Sequence, residues 1–134
     1  MKGLQLIATG GALPGRLVTN EDLSQLVDTS DEWITTRTGI RQRHFCAEGE
    51  TATTLAVAAA RQALARSGLA PEQIGCCVCG TLSAQYATPS TACLVQKELG
   101  LPQDIPVLDV NAACSGFIYG AGVARGLLAM REND

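Results

Sequence analysis

The chain has 134 residues, 46% of them hydrophobic and only 17% charged, with a formal charge of −3. That length suits one domain with a real core and is short for two, while an acidic balance without any Lys/Arg run excludes a basic field for nucleic acid. The start of the chain meets Gly10, Gly11 and Pro14 too soon for a secretory leader. The uncharged run from Val110 to Ala124 is shorter than the roughly 18–20 residues that cross a bilayer, so a soluble cytoplasmic protein without a membrane span is expected.

In chain order, residues 4–9 form a short apolar run ended by Gly10-Gly11, the pattern of a buried strand and a turn. Asn20 is expected to cap a short helix over residues 21–27, with two acids in its first turn. Ser30 precedes a second helical start at Asp31-Glu32-Trp33-Ile34. Residues 51–67 read as a helix with Leu55, Ala59, Ala63 and Leu64 on one face, stopped by Gly68. Pro71-Glu72-Gln73 allows one helical turn before a strand over residues 74–81.

Thr88-Pro89 reads as a cap with proline at the first helical position, and that helix ends at Gly100. Residues 106–110 are a third strand candidate. From Ser115 a helix follows in which Phe117, Ile118, Ala121, Ala124 and Leu128 spread around the circumference, the pattern of a helix buried in a larger body. The order of elements predicts an α/β layered fold with a mainly parallel sheet. No linker or repeat marks a boundary within residues 1–134, and three strands make a small sheet.

Six cysteines without a leader read as reduced thiols. Cys76, Cys77 and Cys79 crowd into one apolar stretch with no histidine nearby, and they suit a buried strand better than a metal site. Cys46 falls in a polar region and Cys93 inside a helix. Cys114 differs: it stands between a strand and a helix N-terminus, where free N–H groups and the helix dipole favour a thiolate and could receive an oxyanion. Ala112, Ala113 and Gly116 leave room for a substrate. From these residues alone, a structural cysteine and a nucleophile remain equally open readings.

His44, the only histidine, sits among basic neighbours and reads as solvated or structural rather than as a base for Cys114. Trp33 and Arg37, four positions apart, share a helix face. They form either a cation–π pair without a ligand or a surface for a nucleotide base.

The stretches Asp28-Thr29-Ser30-Asp31-Glu32-Trp33-Ile34 and Thr36-Arg37-Thr38-Gly39-Ile40-Arg41 resemble the N-terminal signature of β-ketoacyl-acyl carrier protein synthase III. Asp109-Val110-Asn111-Ala112-Ala113-Cys114-Ser115-Gly116-Phe117 is similar to that family's nucleophile motif. Thr81-Leu82-Ser83-Ala84 and Pro89-Ser90-Thr91-Ala92-Cys93 fit between them. The resemblance implies a thiolase-like fold and a reaction in which Cys114 takes an acyl group from acyl-CoA. Malonyl-acyl carrier protein then loses CO₂ and its carbanion attacks the thioester.

The resemblance also implies that Trp33 and Arg37 flank the CoA adenine, that Thr29 is a further CoA contact, and that the Cys114 N–H is an oxyanion donor. Thr88, in the loop Tyr86-Ala87-Thr88-Pro89, matches a position that reaches a partner subunit's acyl pocket. Acetyl-selective members carry phenylalanine there, so a longer or branched primer is expected here. No cofactor is implied beyond the two substrates, and a homodimer is implied.

The family's fold has two halves, each with a five-stranded sheet in order 3-2-1-4-5. This chain matches strands 1 to 3 of the first half and the nucleophile's helix. Strands 4 and 5, the C-terminal half and the family's catalytic His and Asn have no match in residues 1–134. The chain is therefore expected to be the N-terminal portion of such an enzyme, either a fragment of it or a chain working beside a separate C-terminal piece. An open edge of strand 1 and the flank of an apolar helix would then face solvent. The alternative readings are a non-catalytic acyl-CoA-binding or dimerisation module derived from such an enzyme, or a structural fragment without activity.

Overall fold

The computed structural model describes residues 3–131. Met1, Lys2 and residues 132–134, which the expected domain includes, lie outside them. The chain separates into two compact units: Leu13–Thr51 forms one, and the segments before and after it form the other.

In the Leu13–Thr51 unit, strand β1 (Arg16–Thr19) pairs antiparallel with β2 (Gln42–Phe45), Arg16 opposite Phe45 and Thr19 opposite Gln42. Neither strand is legible from periodicity, because each is four residues long and rich in polar side chains. Helix α1 (Asn20–Ser24) follows β1 directly. Its cap is Thr19 rather than the expected Asn20: the Thr19 hydroxyl accepts from Asp22 N–H at 3.1 Å, and the Asp22 carboxylate accepts from Thr19 N–H at 2.9 Å. Asn20 is instead drawn inside, 1% exposed.

Helix α2 (Asp31–Thr38) starts as expected at Ser30, whose hydroxyl accepts from Trp33 N–H at 3.1 Å. It stops at Gly39, where a φ of 71° would strain any residue with a Cβ. Val18 and Ile34 form the small apolar core of this unit.

The second unit contains helix α3 (Ala52–Ser67), β3 (Cys77–Gly80), α4 (Thr91–Leu99), β4 (Val107–Val110) and α5 (Gly116–Arg131). Strands β3 and β4 are parallel, Cys77 opposite Val107 and Gly80 opposite Val110, with α4 as the crossover between them. Both lie within the expected strands. Helix α3 ends at Gly68 as expected, though its deepest residues are Thr53 and Val57 rather than the Leu55 face. The core is Val57, Ala92, Val95, Leu101 and Ile105.

The first expected strand, residues 4–9, forms no ladder, and Leu4, Leu6 and Ile7 are exposed. An apolar run becomes a strand only where another backbone accepts its hydrogen bonds. The turn after it is held at α3 instead. A Cβ at Gly10 would fall onto the Ala59 carbonyl, and Arg66 Nη1 donates to Thr9 O at 3.1 Å. Helix α4 is capped by Ser90, whose hydroxyl accepts from Cys93 N–H at 3.2 Å, and not by Thr88 as expected. Thr88 lies two residues earlier in an exposed loop.

Helix α5 is preceded by a tight turn (Ala113–Ser115), and together they run 19 residues. By length and composition that run is apolar enough to cross a membrane, longer than the uncharged stretch counted in the sequence because it continues through Arg125. Its buried positions are Gly116 and Gly120, which press against β3. Arg131 at its end donates to Gly75 O at 3.2 Å. The apolar flank expected to face solvent does so: Phe117 is 80% and Ile118 73% exposed.

Candidate active site

The C-terminal ends of the parallel strands set the place of Cys114. Gly80 closes β3 and faces Gly116, the first residue of α5. A Cβ on Gly80 would lie 3.0 Å from the Gly116 carbonyl carbon, and one on Gly116 would lie 3.5 Å from Gly80 Cα. One turn further, Gly120 approaches Val78 Cγ1, at 3.5 Å from where its Cβ would stand. Helix α5 therefore lies close on β3, and Gly80 is the position where an added Cβ would crowd the helix backbone.

Between β4 and α5 the chain must reverse within residues 111–115. Ala113 does this with a φ of 45°, a left-handed geometry costing a non-glycine residue about 1–2 kcal/mol. Two hydrogen bonds close the turn: Ser115 N–H to Ala112 O at 2.9 Å, and Gly116 N–H to Ala113 O. The Cys114 N–H takes part in neither. Cys114 is exposed at the tip, just before the positive end of α5.

The other cysteines in this unit are held differently. Burial pushes the Cys77 thiol up to about 11, with neighbouring thiols and Asp109 adding to it. Burial also raises Cys76 and Cys79. These three are poor thiolates, and the strand expected to be buried is half-buried.

Asp109 went unrecognised in the sequence as a positioning group. It points from β4 to the start of α4 and accepts from Thr91 N–H and Ala92 N–H, both at 2.8 Å. The carboxylate thus satisfies two orphan donors of the helix and ties the end of the 81–90 loop to the strand that leads into the Cys114 turn. An acid inside an otherwise apolar four-residue strand was the available signal. Thr88 lies in that loop, exposed, four residues before Ala92.

In the Leu13–Thr51 unit, Trp33 and Arg37 meet. The guanidinium carbon sits 4.6 Å from the indole centroid, a direct cation–π stack. A base inserted between them would need about twice an aromatic stacking distance, so one face of the indole is already covered. Trp33 is nevertheless 54% exposed. It lines an open groove with Leu23, Val27, Thr29, Ser30 and Ile34. Thr29 and Trp33 are thus together in one groove, with Arg37 stacked above. His44 lies in β2, its Nδ1 2.7 Å from Pro14 O; a carbonyl only accepts, so Nδ1 carries the proton and the ring is tied to the backbone.

A curated relative from Thiobacillus denitrificans, named β-ketoacyl-acyl carrier protein synthase III, is 48% identical over 120 residues, covering 90% of this chain and 38% of that protein. One of the same name from Escherichia coli is 49% identical over 120 residues, with the same coverage. The chain matches the N-terminal portion of a β-ketoacyl-acyl carrier protein synthase III. It spans about two fifths of the length of these synthase III relatives, 38% in both.

The solved 3-oxoacyl-acyl carrier protein synthase III from Aquifex aeolicus superposes with a TM-score of 0.88 at 46% identity, over 96% of this chain and 41% of that one. The architecture is accordingly that of a thiolase-like condensing enzyme of the synthase III type. No protein-family model matches the chain.

Proposed function

We propose that this chain carries the acyl-accepting cysteine and part of the CoA site of a β-ketoacyl-acyl carrier protein synthase III, an enzyme that starts acyl chain synthesis. The observation that supports this most directly is the exposed Cys114 in a strained turn at the start of α5, in a chain 48% identical to synthase III relatives. Deprotonated, its Sγ attacks the thioester carbonyl carbon of acyl-CoA. The oxyanion of the tetrahedral intermediate lies within reach of the Cys114 N–H, which the turn leaves out of its own bonds. Collapse expels CoA thiolate, which takes up a proton, and leaves the acyl group on Cys114.

In the second half-reaction, malonyl-acyl carrier protein loses CO₂ and its carbanion attacks that thioester. This frees Cys114 and yields a 3-oxoacyl-acyl carrier protein. Decarboxylation needs groups to stabilise the carbanion. The chain's one histidine is bound to Pro14, so these 134 residues hold the first half-reaction without the second.

In the Leu13–Thr51 unit, the CoA base stacks on the uncovered face of Trp33, with Thr29 beside it in the groove. Arg37 braces the opposite face, rather than closing a sandwich around the base. Thr88, smaller than phenylalanine, admits a longer or branched primer in the homodimer. No cofactor enters either step, and the setting is the cytoplasm, where the reduced thiols are stable.

Incubation with radiolabelled acyl-CoA tests the reading. Label on the chain that Cys114→Ala abolishes is expected, with no condensation on adding malonyl-acyl carrier protein. Absence of label would overturn the nucleophile assignment and favour a structural fragment without activity. Turnover by the pure chain would overturn the division of the two half-reactions. Comparing acetyl-CoA with medium and branched acyl-CoA tests Thr88, and strict acetyl preference would remove that assignment.

A further inference from the structure

Asn20 is a polar side chain 1% exposed, in a unit whose apolar core is only Val18 and Ile34. Both its carboxamide nitrogen and its carboxamide oxygen are hydrogen-bonded. Nδ2 donates to Asp31 Oδ1 at 2.7 Å and to Ile40 O at 2.8 Å, with Thr35 Oγ1 at 3.3 Å, and Oδ1 accepts from Arg43 Nη2 at 2.6 Å. Its backbone N–H reaches Arg41 O at 3.2 Å.

The partners of Nδ2 are distributed along α2 and its C-terminal stop. Asp31 is in the first turn of α2, Thr35 one turn on, and Ile40 just beyond the Gly39 stop. One side chain thus grips α2 at both ends, and Arg43 anchors that side chain to β2. At 100° per residue, Asp31, Ile34, Thr35 and Thr38 fall on the gripped face, and Trp33 and Arg37 on the opposite one. Helix α2 is only eight residues long, too short to hold a fixed orientation without tertiary support.

We infer that Asn20 is a positioning residue for nucleotide recognition: by clamping both ends of α2 it fixes the direction in which the Trp33–Arg37 face is presented to the base. The inference rests on the assignment of Trp33 as the stacking surface for the CoA base. A polar clamp serves this better than apolar packing, because hydrogen bonds fix rotation about the helix axis as well as distance.

Trp33 is the only tryptophan, so its emission reports this face alone. The 134-residue chain is titrated with CoA while Trp33 emission is followed, below the melting temperature of each variant. Saturable quenching is expected for the wild type. Asn20→Asp sets a second carboxylate against Asp31 and is expected to weaken CoA binding about tenfold in the folded protein, with a changed Trp33 anisotropy. The exchange Asn20→Asp with Asp31→Asn restores a donor facing an acceptor at the first turn of α2 but leaves Ile40 O without its donor. It is expected to recover part of that affinity and not all of it.

Should Asn20→Asp not fold, Asp31→Ala cuts the same arm from the surface side and is expected to weaken binding several-fold. Quenching in the wild type that both variants leave unchanged would overturn the inference alone. Absence of quenching in the wild type would overturn the base-site reading and this inference with it.

Discussion

Two thiols are exposed, Cys46 and Cys114, and the remaining four are half-buried. Accessibility favours the exposed pair, and burial raises the thiols of Cys76, Cys77 and Cys79. Brief alkylation with iodoacetamide at pH 7.5, mapped by mass spectrometry, is expected to modify Cys46 and Cys114 and to spare Cys77, whose thiol is pushed to about 11. A modified Cys77 in the folded chain would contradict its placement. Acyl-CoA added beforehand is expected to protect Cys114 and leave Cys46 reactive. At the same scale, Asp109→Ala removes the acceptor of two helix-end N–H groups. A loss of about 1–2 kcal/mol is expected from urea unfolding, the range for a lost N-cap.

Between elements, the decisive contact is glycine on glycine. Gly80→Val would press a branched side chain against the Gly116 carbonyl, 3.0 Å from its carbon at the Cβ alone, so the start of α5 has to shift away from β3. Overpacking of this kind costs typically about 1–3 kcal/mol. Here it would also displace the turn that carries Cys114. Acylation by acyl-CoA is therefore expected to fall more steeply than stability, with circular dichroism still reporting a folded chain. Equal acylation in Gly80→Val and wild type would show that the helix contact does not place the nucleophile.

Some elements were legible because their signals are local. Helix α3 has a sustained periodic pattern, Gly39, Gly68 and Gly100 stop helices through a positive φ, and Ser30 caps its helix through its own hydroxyl. The misassigned caps have a common cause. Asn20 and Thr88 are good capping residues by type, but Thr19 had Asp22 to complete a reciprocal pair and Ser90 stood at the right distance from Cys93 N–H. Strands β1 and β2 escaped because four polar-rich residues show no alternation, and residues 4–9 were read as a strand because they do show an apolar run.

Across the whole molecule, acid sensitivity is unevenly distributed. Hydrogen bonds from Thr19 hold the Asp22 carboxyl below its usual range. Those from Asn20 and then Thr35 do the same for Asp31, and the backbone N–H groups of Ala47 and Gly15 for Glu50. All three lie in the Leu13–Thr51 unit. A carboxyl depressed in the folded state contributes stability above its unfolded pKa, and this is lost as pH falls through the folded value. Protection from hydrogen exchange is thus expected to hold from pH 7 to about pH 5, and to fail below about pH 4 first in residues 13–51. Uniform loss along the chain would argue against these three carboxylates as the cause.

The sequence by itself determined the α/β order, the likeness to a condensing enzyme, and the nucleophile candidate, because composition, caps and short motifs are properties of neighbouring residues. It also put Trp33 and Arg37 on one face, since helical spacing alone does that. Tertiary structure decided the rest. It alone showed that Arg37 covers one side of Trp33, that Asn20 is a buried clamp rather than a cap, and that Asp109 binds a helix eighteen residues away. Those outcomes depend on which distant backbone or side chain arrives with a free donor or acceptor, and no local pattern encodes that arrival.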